Sequence, residues 1–374
     1  MFLRSRQPTR IPLAQVAMGA AQLAFFQLSG AVLLGGTTKT FRGPRPAPVA
    51  EAVTLSPLVF GTLRLHETED PFALLTEAWN LGITSFDCAA VYGGGRCEEI
   101  LGAWLRDGAT PAAARAGAVV VTKGGCGAPD TSWAPRLAYD DLRAELDASL
   151  AKLGRVDVYL LHRDDPGRPV AEIVRSMNKL LASEGGPRAW GVSNWATPRI
   201  AEARAFADAR GLAGPTCSSV QDSLAAPRHA PWPGTEYMTD ADRAWYESHA
   251  DVPVLSWEVL AKGFLAGRWD RADAFAGPPP VDAFSPGMDM DRWREDRLTS
   301  AYLTDANFDR RDRAAALGAA RGLGPEHVAV AWCARQRYPS HVCVATTTVA
   351  HLRSNVKALA LDLDDDDLAW LARG

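Results

Sequence analysis

The stretch SFDCAAVYGGGRCEEILGAWL, residues 85–105, decides between two kinds of parallel-sheet fold. A short apolar run leads through a glycine cluster into an amphipathic segment, which is the order of a strand–helix unit. A dinucleotide-binding doubly wound sheet would carry GxGxxG in its first strand–helix turn. Here the glycines follow the second expected strand, and VYGGGRCEE has the wrong spacing. Outward from this stretch the same alternation recurs. Strands are expected at LVFGT (58–62), SFDCA (85–89), AVVVTKG (118–124), VDVYLLH (156–162), AWGVSN (189–194), CSSVQ (217–221), VPVLSW (252–257) and VCVATT (342–347). Helical patterns lie between them. In DPFALLTEAWNLG, Phe72, Leu75, Ala78 and Trp79 mark one face and Gly82 supplies the stop. DDLRAELDASLAKLG opens on Asp140 as an N-cap and closes at Gly154. Eight strands with intervening helices predict an α/β chain folded as a closed (β/α)8 TIM barrel rather than an open sheet.

Composition agrees with that class and removes others. The chain has 374 residues, 47% hydrophobic and 22% charged, with 32 Gly and 25 Pro. Those values describe a globular chain with an ample core and many turns, and they exclude disorder, collagen and coiled coil. Its length admits two ordinary domains, or one large barrel with an appendage. Lys and Arg total 40 against 44 acids, a net charge of −4, so no nucleic-acid partner is expected. Cys88, Cys97, Cys126, Cys217, Cys333 and Cys343 form neither a CxxC pair nor a zinc spacing. They read as reduced thiols, and no metal is expected.

Charge also marks a boundary. Residues 1–50 contain no Asp or Glu but carry Arg4, Arg6, Arg10, Lys39, Arg42 and Arg45. Basic, acid-free and moderately apolar, the segment reads as an N-terminal extension with a targeting role. Its length would suit a membrane helix, but Gln15, Gln22, Gln27 and several glycines dilute its hydrophobicity. The chain is therefore expected in the cytoplasm, or in an organelle if 1–50 is a transit peptide. RGPRPAPVA (42–50) reads as a linker, with the barrel occupying 51–374.

Active sites of such barrels lie at the C-terminal ends of the strands. SFDCA supplies Asp87, the loop after it Tyr92, VVVTK ends with Lys123, and VYLLH ends with His162. Each alone reads as structural; together they form a chemical set. A phenol titrates near 10 and is a weak acid at neutral pH unless a neighbouring cation stabilises its phenolate. Lys123 can be that cation, Asp87 can hold it, and His162 can offer a donor to a carbonyl oxygen.

With these motifs the chain from about residue 54 to the C-terminus resembles the aldo-keto reductase family. FDCAAVYGGGRCEEILGAWL is similar to the segment bearing the family's catalytic Asp and Tyr, VVVTKGG to the strand bearing its Lys, and SLAKLGRVDVYLLHRDDP to the strand bearing its His. PWPGTEY, LSWEVLAKGFLAGRW and LTDANFDRR resemble the branch nearest potassium-channel β subunits more than aldose reductase. The resemblance implies NADPH-dependent reduction of an aldehyde or ketone, or the reverse oxidation, with Tyr92 as general acid assisted by Asp87, Lys123 and His162. It implies NADPH or NADP+ across the barrel mouth, NADH not being excluded, and a small carbonyl substrate as partner. Ser193, Asn194 and Gln221 would hold the nicotinamide carboxamide, and Trp257 would stack on its ring. Leu260, Lys262 and Arg268 would reach the pyrophosphate. Thr347, His351 and Asn355 would contact the adenosine 2′-phosphate and adenine, with Arg353 as a spare. Gly61 and Thr62 would lie near the nicotinamide ribose, alongside Asp87.

Some positions depart from the family's pattern. Glu258 stands where Ser is usual, Ala345 where Gly is usual, His351 where Gln or Arg is usual, and Asp222 where an aromatic follows the Gln. Two long segments are expected to form a substrate wall or lid: 226–251, with Trp232, Tyr237, Trp245 and Tyr246, and 275–302, with a triple proline, Met288, Met290 and Trp293. Their aromatics favour a hydrophobic carbonyl compound. Two other functions stay open on this reading: an NADPH-binding, redox-sensing regulatory subunit with little turnover, and a barrel with a degraded cofactor site and a non-redox role.

Overall fold

The structure, a computed structural model, describes residues 47–50, 53–127, 134–274, 277 and 289–374. The basic segment 1–46, the triple proline and Met288 lie outside the described residues.

Ten strands are described. β1 (Ala47–Ala50) and β2 (Val53–Leu55) form an antiparallel hairpin. The other eight are β3 (Leu58–Gly61), β4 (Ser85–Asp87), β5 (Val119–Gly124), β6 (Val158–Leu161), β7 (Ala189–Ser193), β8 (Ser218–Gln221), β9 (Val254–Trp257) and β10 (Ser340–Val344). Each pairs in parallel with the next, and β10 returns to β3, which closes the barrel. The expected (β/α)8 TIM barrel is the observed architecture. Nearly every strand residue is buried, because helices cover the outer face while side chains fill the inside.

The helices follow from local chemistry. Asp70 accepts a hydrogen bond from the Ala73 amide and starts helix Pro71–Asn80, where Leu74, Leu75 and Ala78 are buried. Helix Tyr139–Leu153 ends at Gly154, whose φ of 81° is left-handed, as expected. Its start differs from expectation. Ala138 is the N-cap, and Asp140 lies inside the first turn beside Asp141, where a carboxylate favours the helix dipole without capping it.

The hairpin is the main departure. The proline-rich run to Ala50 reads as linker, yet its end is strand β1. Val49, Val53 and Leu55 pack with Val121, Val158, Leu160, Ala189, Cys217 and Leu255 in one apolar cluster. Val158 and Ala189 begin their strands, so this hairpin closes the N-terminal end of the barrel. Ser56 adds a polar knot: its hydroxyl accepts from the Thr84 and Ser85 amides, and its carbonyl lies 2.9 Å from His341 Nδ1. Among the described residues no helix is long and apolar enough to cross a membrane.

Candidate active site

Alternation along the strands carries the chain from this floor to the opposite mouth. Val121 lies in the apolar floor cluster and Lys123 two residues above it; Leu160 stands in the same relation to His162, and Leu255 to Trp257. Gly191 intervenes between Ala189 and Ser193 because the barrel has no room there: a Cβ would meet the Cys217 carbonyl oxygen at 2.5 Å. Tyr92 arrives differently. Gly93, Gly94 and Gly95 all have positive φ and turn the chain from Tyr92 into helix Arg96–Arg106. A Cβ on Gly93 would lie 2.9 Å from His66 Nδ1, so the glycine run is needed for this turn.

The structure brings the four chemical candidates together. Lys123 Nζ donates to Asp87 Oδ2 at 2.7 Å, to the Cys88 carbonyl at 2.9 Å and to the Tyr92 hydroxyl at 3.1 Å. All three ammonium protons are thus spent. The Tyr92 and His162 rings meet edge-on with centroids 5.9 Å apart, and both are half-buried at the rim. Burial alone would push the Lys123 ammonium toward neutrality, but the Asp87 charge and Tyr92 outweigh it and raise its pKa. Burial, only partly countered by Lys123 at 2.7 Å, raises the Asp87 carboxyl above its usual range. Tyr92 is pushed up to about 12 by burial, with Lys123 pulling against it. Burial, then the charges of Lys123 and Arg163, hold the His162 imidazole well below its usual range, so the ring is neutral.

The residues expected at the nicotinamide lie beside this set. Asn194, with φ of 59°, donates from Nδ2 to the His162 carbonyl at 3.2 Å and to Ser193 Oγ at 3.0 Å. Its Oδ1 is buried without a partner, and so is Nε2 of Gln221. An unpartnered acceptor and an unpartnered donor are what a primary carboxamide would satisfy, since it offers both an N–H and a C=O. Trp257 is half-buried at the end of β9, in register with Gln221. Thr62 donates its hydroxyl and its amide to the Asp87 carbonyl at 3.0 and 2.9 Å, and so braces that strand end; Gly61 precedes it at the end of β3.

The cations expected at the phosphates are engaged elsewhere. Glu258 is buried, and its carboxylate accepts from Trp232 Nε1 at 3.0 Å and the Tyr302 hydroxyl at 2.8 Å, with Lys262 Nζ at 3.5 Å. Glu258, Ala261 and Lys262 all have positive φ, a concentration of strain in the turn that carries Leu260. Arg268 is paired with Glu295 at 2.9 Å and Arg353 with Glu77 at 2.7 Å. Thr347 follows β10. His351 and Asn355 are four apart, on one side of helix Val349–Lys357, with Thr348 capping the helix. Asp222 is buried against Arg243 at 2.8 Å and accepts from the Tyr338 hydroxyl at 3.0 Å, a packing role in place of an aromatic.

The expected aromatic wall divides. Tyr246 is buried with its hydroxyl on Ser218 Oγ at 2.8 Å, and Trp245 stacks on His249 at 4.2 Å, so these two serve packing. Only Trp232 among them bonds to Glu258 at the mouth. A cavity of about 490 Å³ opens beside Asn194, lined also by Asp164, Arg199, Gly234 and Glu236. Sequence reasoning missed the residue next to His162: the Nε of Arg163 lies 4.0 Å from where a Cβ on Gly234, in the wall of this cavity, would be.

A closed parallel barrel thus carries a phenol, an ammonium, a carboxylate and an imidazole together at its C-terminal rim. The chain belongs to the aldo/keto reductase family, whose model matches residues 57–373. It is 28% identical over 296 residues to the "Probable voltage-gated potassium channel subunit beta" of Oryza sativa subsp. japonica, covering 78% of this chain and 83% of that protein. An Arabidopsis thaliana protein of the same description is 28% identical over 281 residues, covering 74% and 78%. Among solved structures, an aldo/keto reductase from Klebsiella pneumoniae in complex with NADP and acetate is similar with a TM-score of 0.59 and 23% identity, over 88% of this chain and 94% of that one. A second, in complex with NADPH, reaches a TM-score of 0.60 at 22% identity, over 90% and 94%.

Proposed function

We propose that this chain reduces an aldehyde or ketone to an alcohol at the expense of NADPH, with Tyr92 as the proton donor. The observation that carries the reading is the saturation of Lys123: its three protons go to Asp87, Cys88 and Tyr92. Because the Tyr92 oxygen accepts from the ammonium, its own proton is free to point outward to a substrate oxygen. With a pKa held near 12, Tyr92 stays protonated at neutral pH and needs the cation to carry the phenolate it leaves. The neutral His162 ring has Nδ1 buried and unpartnered, which favours the proton on the other nitrogen, where it can orient the carbonyl and bind the developing alkoxide. Ser193, Asn194 and Gln221 would hold the nicotinamide, Trp257 would cover one of its faces, and the nucleotide supplies the hydride when bound. Leu260, Lys262, Arg268, Thr347, His351 and Asn355 are the proposed phosphate and adenine contacts. For Lys262 and Arg268 this requires exchange of Glu258 and Glu295 for a phosphate.

The names of the channel-subunit relatives favour a second reading, a nucleotide-binding regulatory subunit with little turnover. One experiment separates the two. The chain is titrated with NADPH and with NADH by tryptophan fluorescence, and then offered aromatic and aliphatic aldehydes with absorbance followed at 340 nm. Micromolar NADPH affinity with aldehyde-dependent oxidation supports the reductase; tight binding without turnover supports the subunit. Failure to bind either nucleotide removes both.

A further inference from the structure

Arg163 follows His162 directly, and the pair is fixed on both sides. The His162 amide donates to the Gly124 carbonyl at 2.8 Å, and its carbonyl accepts from Asn194 Nδ2. The Arg163 side chain therefore leaves the backbone at the rim of the site, and its Nε lies 4.0 Å from where a Cβ on Gly234, a residue of the neighbouring cavity wall, would be. Its Nε is buried and has no hydrogen-bond partner, and among the described residues no carboxylate pairs with its guanidinium. Burial lowers its pKa, and the Cys126 thiol and the Tyr92 phenol are the titratable groups that pull the other way. A half-buried cation whose Nε is desolvated and that has no counter-ion is costly to keep. Arg199, on the same cavity, shows the usual solution: it is spent on Asp164 at 3.1 Å and on the Asp165 and Arg168 carbonyls. Of the three acids in that wall, Asp164 is thereby committed, Glu202 lies 3.4 Å from Arg199, and burial followed by the charges of Asp242 and Asp164 holds the Glu236 carboxyl above its usual range.

We propose that Arg163 is a specificity-determining residue, its guanidinium taking up an anionic group, carboxylate or phosphate, carried by the carbonyl substrate. The inference rests on the reductase reading and narrows it. A planar fork with free N–H donors near the proton donor matches either anion bidentately and would fix the carbonyl against Tyr92. The hydrophobic carbonyl compound expected from the loop aromatics is correspondingly disfavoured, because Trp245 and Tyr246 are used in packing.

The test compares 4-formylbenzoate with its methyl ester, and glyceraldehyde 3-phosphate with glyceraldehyde, at saturating NADPH. The full chain is compared with Arg163→Gln and Arg163→Lys. For at least one pair the native chain should prefer the anion by about tenfold or more in kcat/KM, carried in KM. Which pair shows it identifies the anion. In Arg163→Gln the preference should fall toward one, while Arg163→Lys, which keeps the charge without the fork, should retain part of it. An equal preference in native chain and Arg163→Gln, or none in the native chain for either pair, overturns the proposal. Calorimetric binding of 4-formylbenzoate and of glyceraldehyde 3-phosphate to the nucleotide-free chain separates this failure from that of the parent reading. Binding that depends on Arg163 without any turnover would keep the anion site and sink the reductase, whereas binding indifferent to Arg163 sinks the anion site itself.

Discussion

The two ends of the barrel are built on opposite terms. At the floor, Val49, Val53 and Leu55 are almost fully buried against apolar strand residues, and the polar atoms of Ser56 are used in tying the hairpin to β4 and β10. At the mouth, Asp87 Oδ1, His162 Nδ1, Arg163 Nε, Asn194 Oδ1 and Gln221 Nε2 are all buried without partners. A buried polar atom with no partner costs roughly 1–3 kcal/mol, so the mouth lowers the stability of the empty protein that the floor supports. The difference teaches where to look for function in a barrel of this kind. The unpartnered atoms that flank the tetrad can be satisfied by a ligand at the mouth, whereas His341 Nε2, likewise buried without a partner, belongs to the floor.

Two substitutions should separate the ends cleanly. Tyr92→Phe removes the proton donor but keeps the ring, so kcat/KM for an aldehyde should fall about a hundred- to ten-thousandfold, with nucleotide affinity and thermal midpoint retained. Leu55→Ala at the floor should do the reverse. It should cost about 2–5 kcal/mol in denaturant unfolding and leave the kinetic constants of the folded fraction unchanged. If Tyr92→Phe unfolds the chain, or Leu55→Ala slows turnover of folded molecules, the division between the ends fails.

A titration sharpens the same division. His341 sits at the floor with Nδ1 on the Ser56 carbonyl, and burial lowers its pKa to about 4, against an ordinary 6.5. As pH falls, the unfolded chain takes the proton first. The neutral buried ring therefore costs nothing above about pH 6.5, lowers stability as pH drops from 6.5 toward 4, and adds no further loss below that. Over that window the contribution is about 3 kcal/mol. His341→Asn should unfold with a flatter pH dependence than the native chain between pH 7 and 4.5. Equal slopes would show that the floor histidine is not the group responsible. His162 shifts in the same direction at the mouth and is left in place as the internal comparison.

Much of this was legible in the sequence, and the exceptions have a common cause. Short apolar runs and the residue types at their ends located Asp87, Lys123 and His162, and the loop after the second of those runs located Tyr92, because these are local patterns. Strand limits differ from expectation by a few residues at most; β6, for example, spans Val158–Leu161 where 156–162 is expected. The hairpin was hidden because Pro46 and Pro48 read as linker, and only the tertiary cluster around Val49 overrides them. The pairing of Arg268 and Arg353 with Glu295 and Glu77 was equally invisible, since both partners lie far along the chain. Cations are easy to count in a sequence; which of them is already neutralised is a property of the fold. Arg163 is the converse case, a cation that looks ordinary beside Asp164 and Asp165 until Asp164 turns out to be committed to Arg199.

Gln221 offers the smallest effect and the most discriminating one. Its Nε2 is buried without a hydrogen-bond partner. Replacing the side chain by the similarly long, apolar methionine removes that unpaired donor. Gln221→Met should therefore raise the unfolding free energy of the nucleotide-free chain, or at least not lower it, although it alters a fully buried residue of a central strand. The same change should weaken NADPH binding by about 0.5–1.5 kcal/mol, the worth of one neutral hydrogen bond, or roughly two- to twelvefold in Kd. Opposite signs on stability and affinity would mark Gln221 as a group held in readiness for a carboxamide. A loss of stability with unchanged affinity would instead make it an ordinary barrel residue, and the contrast between mouth and floor would then rest on the tetrad and Arg163 alone.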